Sequence, residues 1–489
     1  MTSDAIGLIG MILSLALLIG LAFRGWSVLV LAPLTAMVAA LFSGYPLLAS
    51  WTQLFMVGTA DFLGRFFPLF LLGAIFGRLM NDSGSVRVIA DTMIRWLGTE
   101  RAILAVVLAG ALVTYGGVSL FVAFFVLVPM AREVFIAADI PRRLMPAAIV
   151  LGTSTFTMSA LPGSPAIQNA IPMPFFGTTP FAAPGLGLIA AATMFGLGML
   201  WLSHACRSAQ GKGEGFSVDD DAPHSVLSGT ESDRSRGALA DEFDLAEAGE
   251  PSSTEAPPSP FAAFAPLVVV TVVNLVMSLL VLPRMDLAYL AEPEWGSTFM
   301  AAVAGVWSVI VALAAAIVVL ILLHRARLPR LRDSVDAGAH ASVIPALSVA
   351  CLAGFGSVIA ALPPFHYIRE QVLAVPGGPV VSLAVATNVL AGLTGSASGG
   401  LTIALDAMGS LYKAAAEAAG INPSLLHRVA AIGSGTLDML PHNGAIVTLL
   451  GLCGATHRES YRDIVAVGIL PPIVALLIII PLGALFGSF

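Results

Sequence analysis

Charge is scarce in this chain. Only 11% of its 489 residues are Asp, Glu, Lys or Arg, against 57% hydrophobic residues and a mean hydropathy of +0.91. A soluble domain carries roughly a quarter of its residues charged, so the shortage excludes one and implies an integral membrane protein with the lipid bilayer as its solvent. Cysteine is almost missing as well. Cys351 and Cys453 fall in apolar runs and Cys206 borders a polar segment, which excludes a disulfide framework and a cysteine metal site. The chain has no His/Glu/Asp metal spacing, no G-x-S-x-G elbow and no nucleotide loop. No enzyme, metal, cofactor or nucleic-acid partner is therefore expected.

Apolar runs long enough to cross a bilayer, about 20 residues each, lie near 5–23, 26–43, 62–80, 182–204, 262–282, 298–323, 341–361 and 462–487. Longer interrupted apolar regions occupy 101–131, 143–172, 379–413 and 424–451. The first run meets its first arginine only at Arg24 and is read as a retained span rather than a cleaved signal. Residues 206–260 differ from everything else. They hold twelve acidic and four basic residues, a net charge of 4 − 12 = −8 against −7 for the whole chain, with Ser, Gly and Pro throughout. Such a segment cannot bury enough apolar surface to fold, and it reads as a disordered acidic linker between a first membrane repeat, 1–205, and a second, 261–489.

The two repeats resemble each other. Residues 110–158 slide onto 391–439 at a constant offset of 281, pairing Gly152 with Gly433, Thr155 with Thr436 and Met158 with Met439. After a two-residue skip, LPGSPAI at 161–167 falls on LPHNGAI at 440–446. The fold expected is an all-α polytopic membrane protein of two inverted-topology repeats. Each has about five transmembrane helices, one re-entrant hairpin and one broken helix. The hairpins are interrupted by YGGVS at 115–119 and GSASGG at 395–400. Five crossings are odd, so the second repeat inserts upside down. With the N-terminus outside, 18 of the 23 basic residues then fall on one side, as cytoplasmic loops require. The remaining five are Arg65, Arg284, Arg369, Lys413 and Arg428. The linker is placed in the cytoplasm, both termini outside, and SVRVIADTMIRWL at 85–97 on the basic side as a surface helix.

Unwound backbone survives at membrane depth only where it lines a protein-enclosed or watery cavity, and matching breaks in two inverted halves point to a transport site. GTSTFTMSALPGSP at 152–165 and GSGTLDMLPHNG at 433–444 are such breaks. Freed carbonyls coordinate cations, and new helix N-termini favour anions. The expected substrate-binding residues are Gly117 and Ser119 at the first hairpin tip, and Thr153, Ser154, Thr155, Gln168 and Asn169 at the first break. At the second tip they are Ser396, Ser398, Gly399 and Gly400, and at the second break Ser434, Gly435, Thr436 and Asn443. No lysine or arginine is expected near them, so amides, hydroxyls and helix ends must neutralise an anion. Intramembrane carboxylates mark proton relays. Asp438, with His442 four residues on, and Asp406 beyond the second tip are the expected proton-coupling groups.

LGTSTFTMSALPGSPAIQNAIP, SASGGLTIAL and LHRVAAIGSGTLDMLPHNGAIVTLL resemble the gluconate permease (GntP) family, and its short hydroxy-acid, 3-hydroxybutyrate-like branch more than its sugar-acid branch. The similarity covers nearly the whole chain outside the linker, which is not a feature of the family. It implies a secondary symporter of the ion-transporter superfamily, a homodimer in the bacterial inner membrane, that takes up a small hydroxycarboxylate such as 3-hydroxybutyrate or gluconate with protons. Superfamily members with sodium sites carry Ser-Asn-Thr in both repeats. Here Ser154 and Thr155 have no intervening Asn and the second triplet is Ser434-Gly435-Thr436, a departure that disfavours sodium. A Na⁺-coupled organic-anion symporter and a cation/proton antiporter are the alternatives. The antiporter would share the inverted repeat and the buried acid, but it needs no hydroxyl-rich breaks in both halves.

Overall fold

A computed structural model describes residues 3–22, 24, 26–118, 120–216, 257–373, 375–441 and 443–489. Most of the linker, together with Ser119 and His442, lies outside the described residues. Those described are helical, with no strand among them. The first half runs α1 (Ser3–Ala22), α2 (Val28–Phe42), α3 (Leu47–Asp82), α4 (Ser85–Leu97), α5 (Ala102–Tyr115), α6 (Leu120–Ala137), α7 (Met145–Thr153) and α8 (Pro184–Gly211). Single turns at Phe156–Ser159, Ile167–Ala170 and Pro172–Phe176 lie between α7 and α8. The second half runs α9 (Pro260–Val276), α10 (Met300–Leu323), α11 (Leu331–Ala341), α12 (Val343–Ala361), α13 (Phe365–Leu373), α14 (Gly378–Thr394) and α15 (Ala397–Ala418). It closes with α16 (Pro423–Ser434), α17 (Gly444–Cys453), α18 (His457–Gly468) and α19 (Leu470–Phe486).

Six helical segments among the described residues are long and apolar enough to cross a membrane, and α4 with α5 would make a seventh but for a bend of 106° between them. The element order of the first half recurs in the second. Helix α7 ends at Thr153 and α16 at Ser434, and 434 − 153 = 281. Helix α6 ends at Ala137 and α15 at Ala418, again 281 apart.

Helix length decides what crosses. At 1.5 Å per residue, the 14 residues of α5 and the 17 of α14 rise only about 21 and 26 Å, short of a hydrocarbon core of about 30 Å. Each ends at glycine and turns back, α5 at Gly116 and α14 at Gly395, whose φ of +65° suits the residue without a Cβ. The arms of the second hairpin meet at Gly400, where a Cβ would run into the Ala391 backbone.

Three boundaries differ from the sequence reading. Only Gly395 and Ser396 interrupt the second hairpin, because α15 has begun by Ala397 and Ser398–Gly400 are helical. The span read as 62–80 belongs to a helix of 36 residues, Leu47–Asp82. Its charges Asp61 and Arg65 pair at 2.6 Å one turn apart, so they do not end it. Helix α8 continues past Cys206 to Gly211. Beyond it Glu214 pairs with Arg143 at 2.7 Å and Phe216 N donates to Asp139, so the start of the linker is docked on the first half.

Candidate transport site

Both interrupted regions are broken in the structure. Helix α7 stops at Thr153 and α16 at Ser434, after which the chain makes one turn, at Phe156–Ser159 and Leu437–Met439. It then runs extended before re-entering helix at Ile167 and Gly444. Proline explains much of the extended stretch: Pro162 and Pro165 in the first break and Pro441 in the second lack the N–H that a helix interior needs. The breaks touch each other, since a Cβ on Gly435 would sit 3.1 Å from Met158 Cε and 3.5 Å from the Ser159 side chain.

A cavity of about 240 Å³ lies where breaks and hairpin tips converge. The first tip supplies Thr114, Gly117 and Val118, and the first break Thr153, Met158 and Pro165 to Gln168. The second tip supplies Ala397 and Ser398, and the second break Asp438 and Ala445. The wall is completed by α3, with Leu69, Phe70, Gly73 and Ala74, and by the α11–α12 junction at Ala341, Ser342, Pro345 and Val349. Asp438 is the one ionisable side chain among these lining residues. Its Oδ1 accepts from Asn443 Nδ2 at 2.7 Å, and the same amide nitrogen donates to Gly395 O at 2.7 Å, tying the second break to the second tip. Asn443 Oδ1 caps α17 by accepting from the amides of Ala445 and Ile446. On α15 the Ser396 hydroxyl accepts from Gly399 N, and the first two helical residues, Ala397 and Ser398, line the cavity. A helix end of this kind favours an anion.

The cavity thus gathers Gly117, Thr153, Gln168, Ser398 and Asp438 of the expected residues, and not the rest. Ser154, Thr155, Ser434 and Thr436 are at most 1% exposed, and three of their hydroxyls bond carbonyls in the last turn of α7 or α16. Thr155 donates to Leu151 O at 2.7 Å, Ser434 to Ala431 O at 2.9 Å and Thr436 to Ile432 O at 2.8 Å. These bonds satisfy the carbonyls that the breaks orphan. Ser154 Oγ lies 3.0 Å from Thr153 Oγ1. Gly399 and Gly400 serve close packing, against Leu352 and Ala391, and Gly435 lets the breaks meet. Asp406 lies further along α15, against Gly356. Ser119 and His442 are not described.

Asn169 faces away from the cavity into a buried polar network. Its Nδ2 donates to Ser164 O at 2.8 Å and Pro180 O at 3.1 Å, and its Oδ1 accepts from His427 Nε2 and Arg428 Nη1. Here the expectation that no arginine lies near the site is corrected. Arg428, counted from the sequence among the five basic residues on the less basic side, is fully buried on α16 and holds the first break from behind. Its other donors go to carbonyls of Ser159, Pro180 and Ala182, which supply the negative ends of dipoles that a buried guanidinium needs. Thr114 and Ser342, both in the wall, escaped sequence reasoning. Thr114 directly precedes the YGG interruption and was within reach of it, whereas Ser342 is brought in by packing alone.

The model of the GntP family permease matches residues 5–174, and that of the Na⁺/H⁺ antiporter family matches residues 225–483. The uncharacterized transporter YxjC of Bacillus subtilis (strain 168) is 41% identical over 473 residues, covering 94% of this chain and 95% of its own. The high-affinity gluconate transporter of Escherichia coli (strain K12) is 32% identical over 117 residues, 23% of this chain and 26% of its own. The YdaH transporter of Alcanivorax borkumensis superposes with a TM-score of 0.45 at 17% identity, over 89% of this chain and 88% of that one. With a full-length transporter relative at this identity and the GntP model on its first half, the chain belongs to the GntP family of permeases and is a membrane transporter, not an enzyme.

Proposed function

We propose that the protein is a proton-coupled symporter that carries one small hydroxycarboxylate, of the size of 3-hydroxybutyrate or gluconate, into the cell across the bacterial inner membrane. The observation that carries this reading is the cavity wall: two breaks and two hairpin tips bring hydroxyl-bearing residues, the amide residue Gln168 and the first residues of α15 around a single carboxylate, Asp438. The substrate carboxylate is held by the Ala397 and Ser398 amides with the Ser398 hydroxyl, and its hydroxyl by Gln168 and Thr153. Asp438, held by Asn443, binds a proton before the anion loads, which removes like-charge repulsion. The matched helix ends are those of two repeats inserted with opposite orientation, and alternating access moves the hairpin-bearing parts against the other helices. The linker is assigned to the cytoplasm, the termini to the outside, and the functional unit to a homodimer.

The test is uptake of labelled acids by proteoliposomes under an imposed pH gradient. Wild-type protein is expected to concentrate the hydroxycarboxylate, and Asp438→Asn to lose accumulation while keeping exchange across the membrane. Full accumulation by that variant removes Asp438 from the scheme. A cation/proton antiporter is a second reading, favoured by the match of residues 225–483 to that family. Sodium-driven proton movement without organic acid in the same vesicles would establish it instead.

A further inference from the structure

Helix α15 leaves the cavity at Ser398 and carries two more polar side chains at helical spacing, Thr402 and Asp406. Residues four apart share a helix face, and eight residues rise about 12 Å, so this row runs from the cavity wall toward the far end of α15. A threonine within a helix ordinarily bonds the carbonyl one turn back, as Thr35, Thr114 and Thr387 do. Thr402 does not. It is 0% exposed and its Oγ1 has no hydrogen-bond partner among the described residues. Asp406 Oδ2 is buried in the same condition.

A carboxylate oxygen and a hydroxyl left unpaired on one face are expensive in a membrane protein and mark function. The surroundings of Asp406 show where the row leads. From α12, Gly356 packs on its Cβ and the Ser357 hydroxyl reaches its carboxylate. From α3, the charged groups facing it are Arg65 and Asp61. Among the described residues, α14, α16 and the 167–176 segment bring no other charged or titratable group to it. Arg65 and Asp61 are paired with each other and 46% and 55% exposed. Asp61 lies 21 residues, or about 31 Å, along α3 from Asp82, which is the thickness of the hydrocarbon core. The row therefore runs from the cavity wall toward this exposed charged pair, far along α3 from Asp82.

We propose that Asp406, Thr402 and Ser398 form a proton path from the exposed Asp61–Arg65 pair to the cavity, by which the coupling proton reaches Asp438. The Asp406 carboxylate takes up a proton that enters from water beside the exposed Asp61–Arg65 pair. Thr402 Oγ1 accepts it and gives up its own toward Ser398, and Ser398 passes one in the same way into the cavity, with bridging water across each gap. Each hydroxyl ends neutral, and the proton ends on Asp438. This inference rests on the proton-coupled reading above.

The experiment follows substrate binding, and substrate-driven acidification with a trapped pH dye, in proteoliposomes of the full chain. If wild-type protein moves no protons with substrate, the coupling reading fails and the path fails with it. Given coupled wild-type transport, Asp406→Asn is expected to slow substrate-driven acidification at least tenfold while substrate affinity stays within twofold. Thr402→Val is expected to slow it at least threefold, and Thr402→Ser to restore it. Undiminished acidification in Asp406→Asn overturns the path and leaves coupling at Asp438 standing. A defect in Asp406→Asn that Thr402→Val does not share overturns the route through Thr402. Joint loss of binding and acidification in both variants assigns the row to packing and overturns the proposal.

Discussion

Arg428 Nη1 donates to Asn169 Oδ1 at 3.2 Å, joining positions 259 apart in the chain and fastening the helix of the second break to the backbone of the first. The same guanidinium donates to Ser159 O at 3.1 Å and, through Nη2, to Ala182 O at 2.7 Å. Its planar fork reaches all three at once, which a lysine ammonium cannot. Arg428→Lys is expected to leave buried carbonyls unpaired and to destabilise the protein by about 3 kcal/mol, read as a fall in thermal unfolding temperature in detergent. An unchanged transition would mean that the network holds nothing together.

Hydroxyls that face the cavity and hydroxyls that serve their own helix should separate in transport assays. Ser398→Ala and Gln168→Ala are expected to raise the apparent KM about tenfold, or about 1.4 kcal/mol. Thr155→Val and Thr436→Val, whose hydroxyls bond Leu151 and Ile432, should shift it less than about twofold. The reverse ranking would place the substrate among the buried hydroxyls of the breaks.

Gly400 and Gly451 make a matched pair for the second hairpin. A Cβ at Gly400 meets the Ala391 backbone, whereas one at Gly451, in α17, meets nothing within 4 Å. Gly400→Ala is expected to destabilise by about 1–3 kcal/mol and to depress transport by displacing the tip. Gly451→Ala should be neutral, or stabilising by up to about 1 kcal/mol. Melting temperatures and uptake rates of the two variants decide it.

The docked start of the linker should depend on pH. The hydrogen bond from Arg143 holds the Glu214 carboxyl below its ordinary value of 4.5, against an opposing effect of burial. A carboxyl depressed in the folded state stabilises fully above its unfolded value, and that contribution disappears as pH falls through the folded one. Residues 212–216 are therefore expected to undock only as pH falls below the ordinary glutamate range, with faster cleavage by a protease active at each pH tested. Glu214→Gln should show the same fast cleavage near neutrality, and equal cleavage of variant and wild type would remove the Arg143–Glu214 pair from the anchor.

Hydropathy, glycine and proline were enough to locate most spans and both breaks. The bilayer enforces a length on whatever crosses it and a reason on whatever interrupts it, so α7 and α16 end 281 positions apart, at the offset visible in their residue types. The span read as 62–80 fell short of the helix Leu47–Asp82, within which Asp61 and Arg65 form an i,i+4 pair that neutralises itself.

Side-chain direction was not legible. Thr153 and Thr155 are two residues apart in one polar run and both hydroxyls bond a carbonyl four residues back, of Ile149 and Leu151, yet only the first residue lines the cavity. Asn169 and Gln168 are adjacent, yet one turns toward Arg428 and the other toward the cavity. Residue type and spacing are local quantities, and they sufficed for a helical membrane transporter broken at two matched places. Which hydroxyl faces the cavity depends on how segments more than 250 positions apart pack at the breaks, and that choice exists only once the two halves have closed on each other.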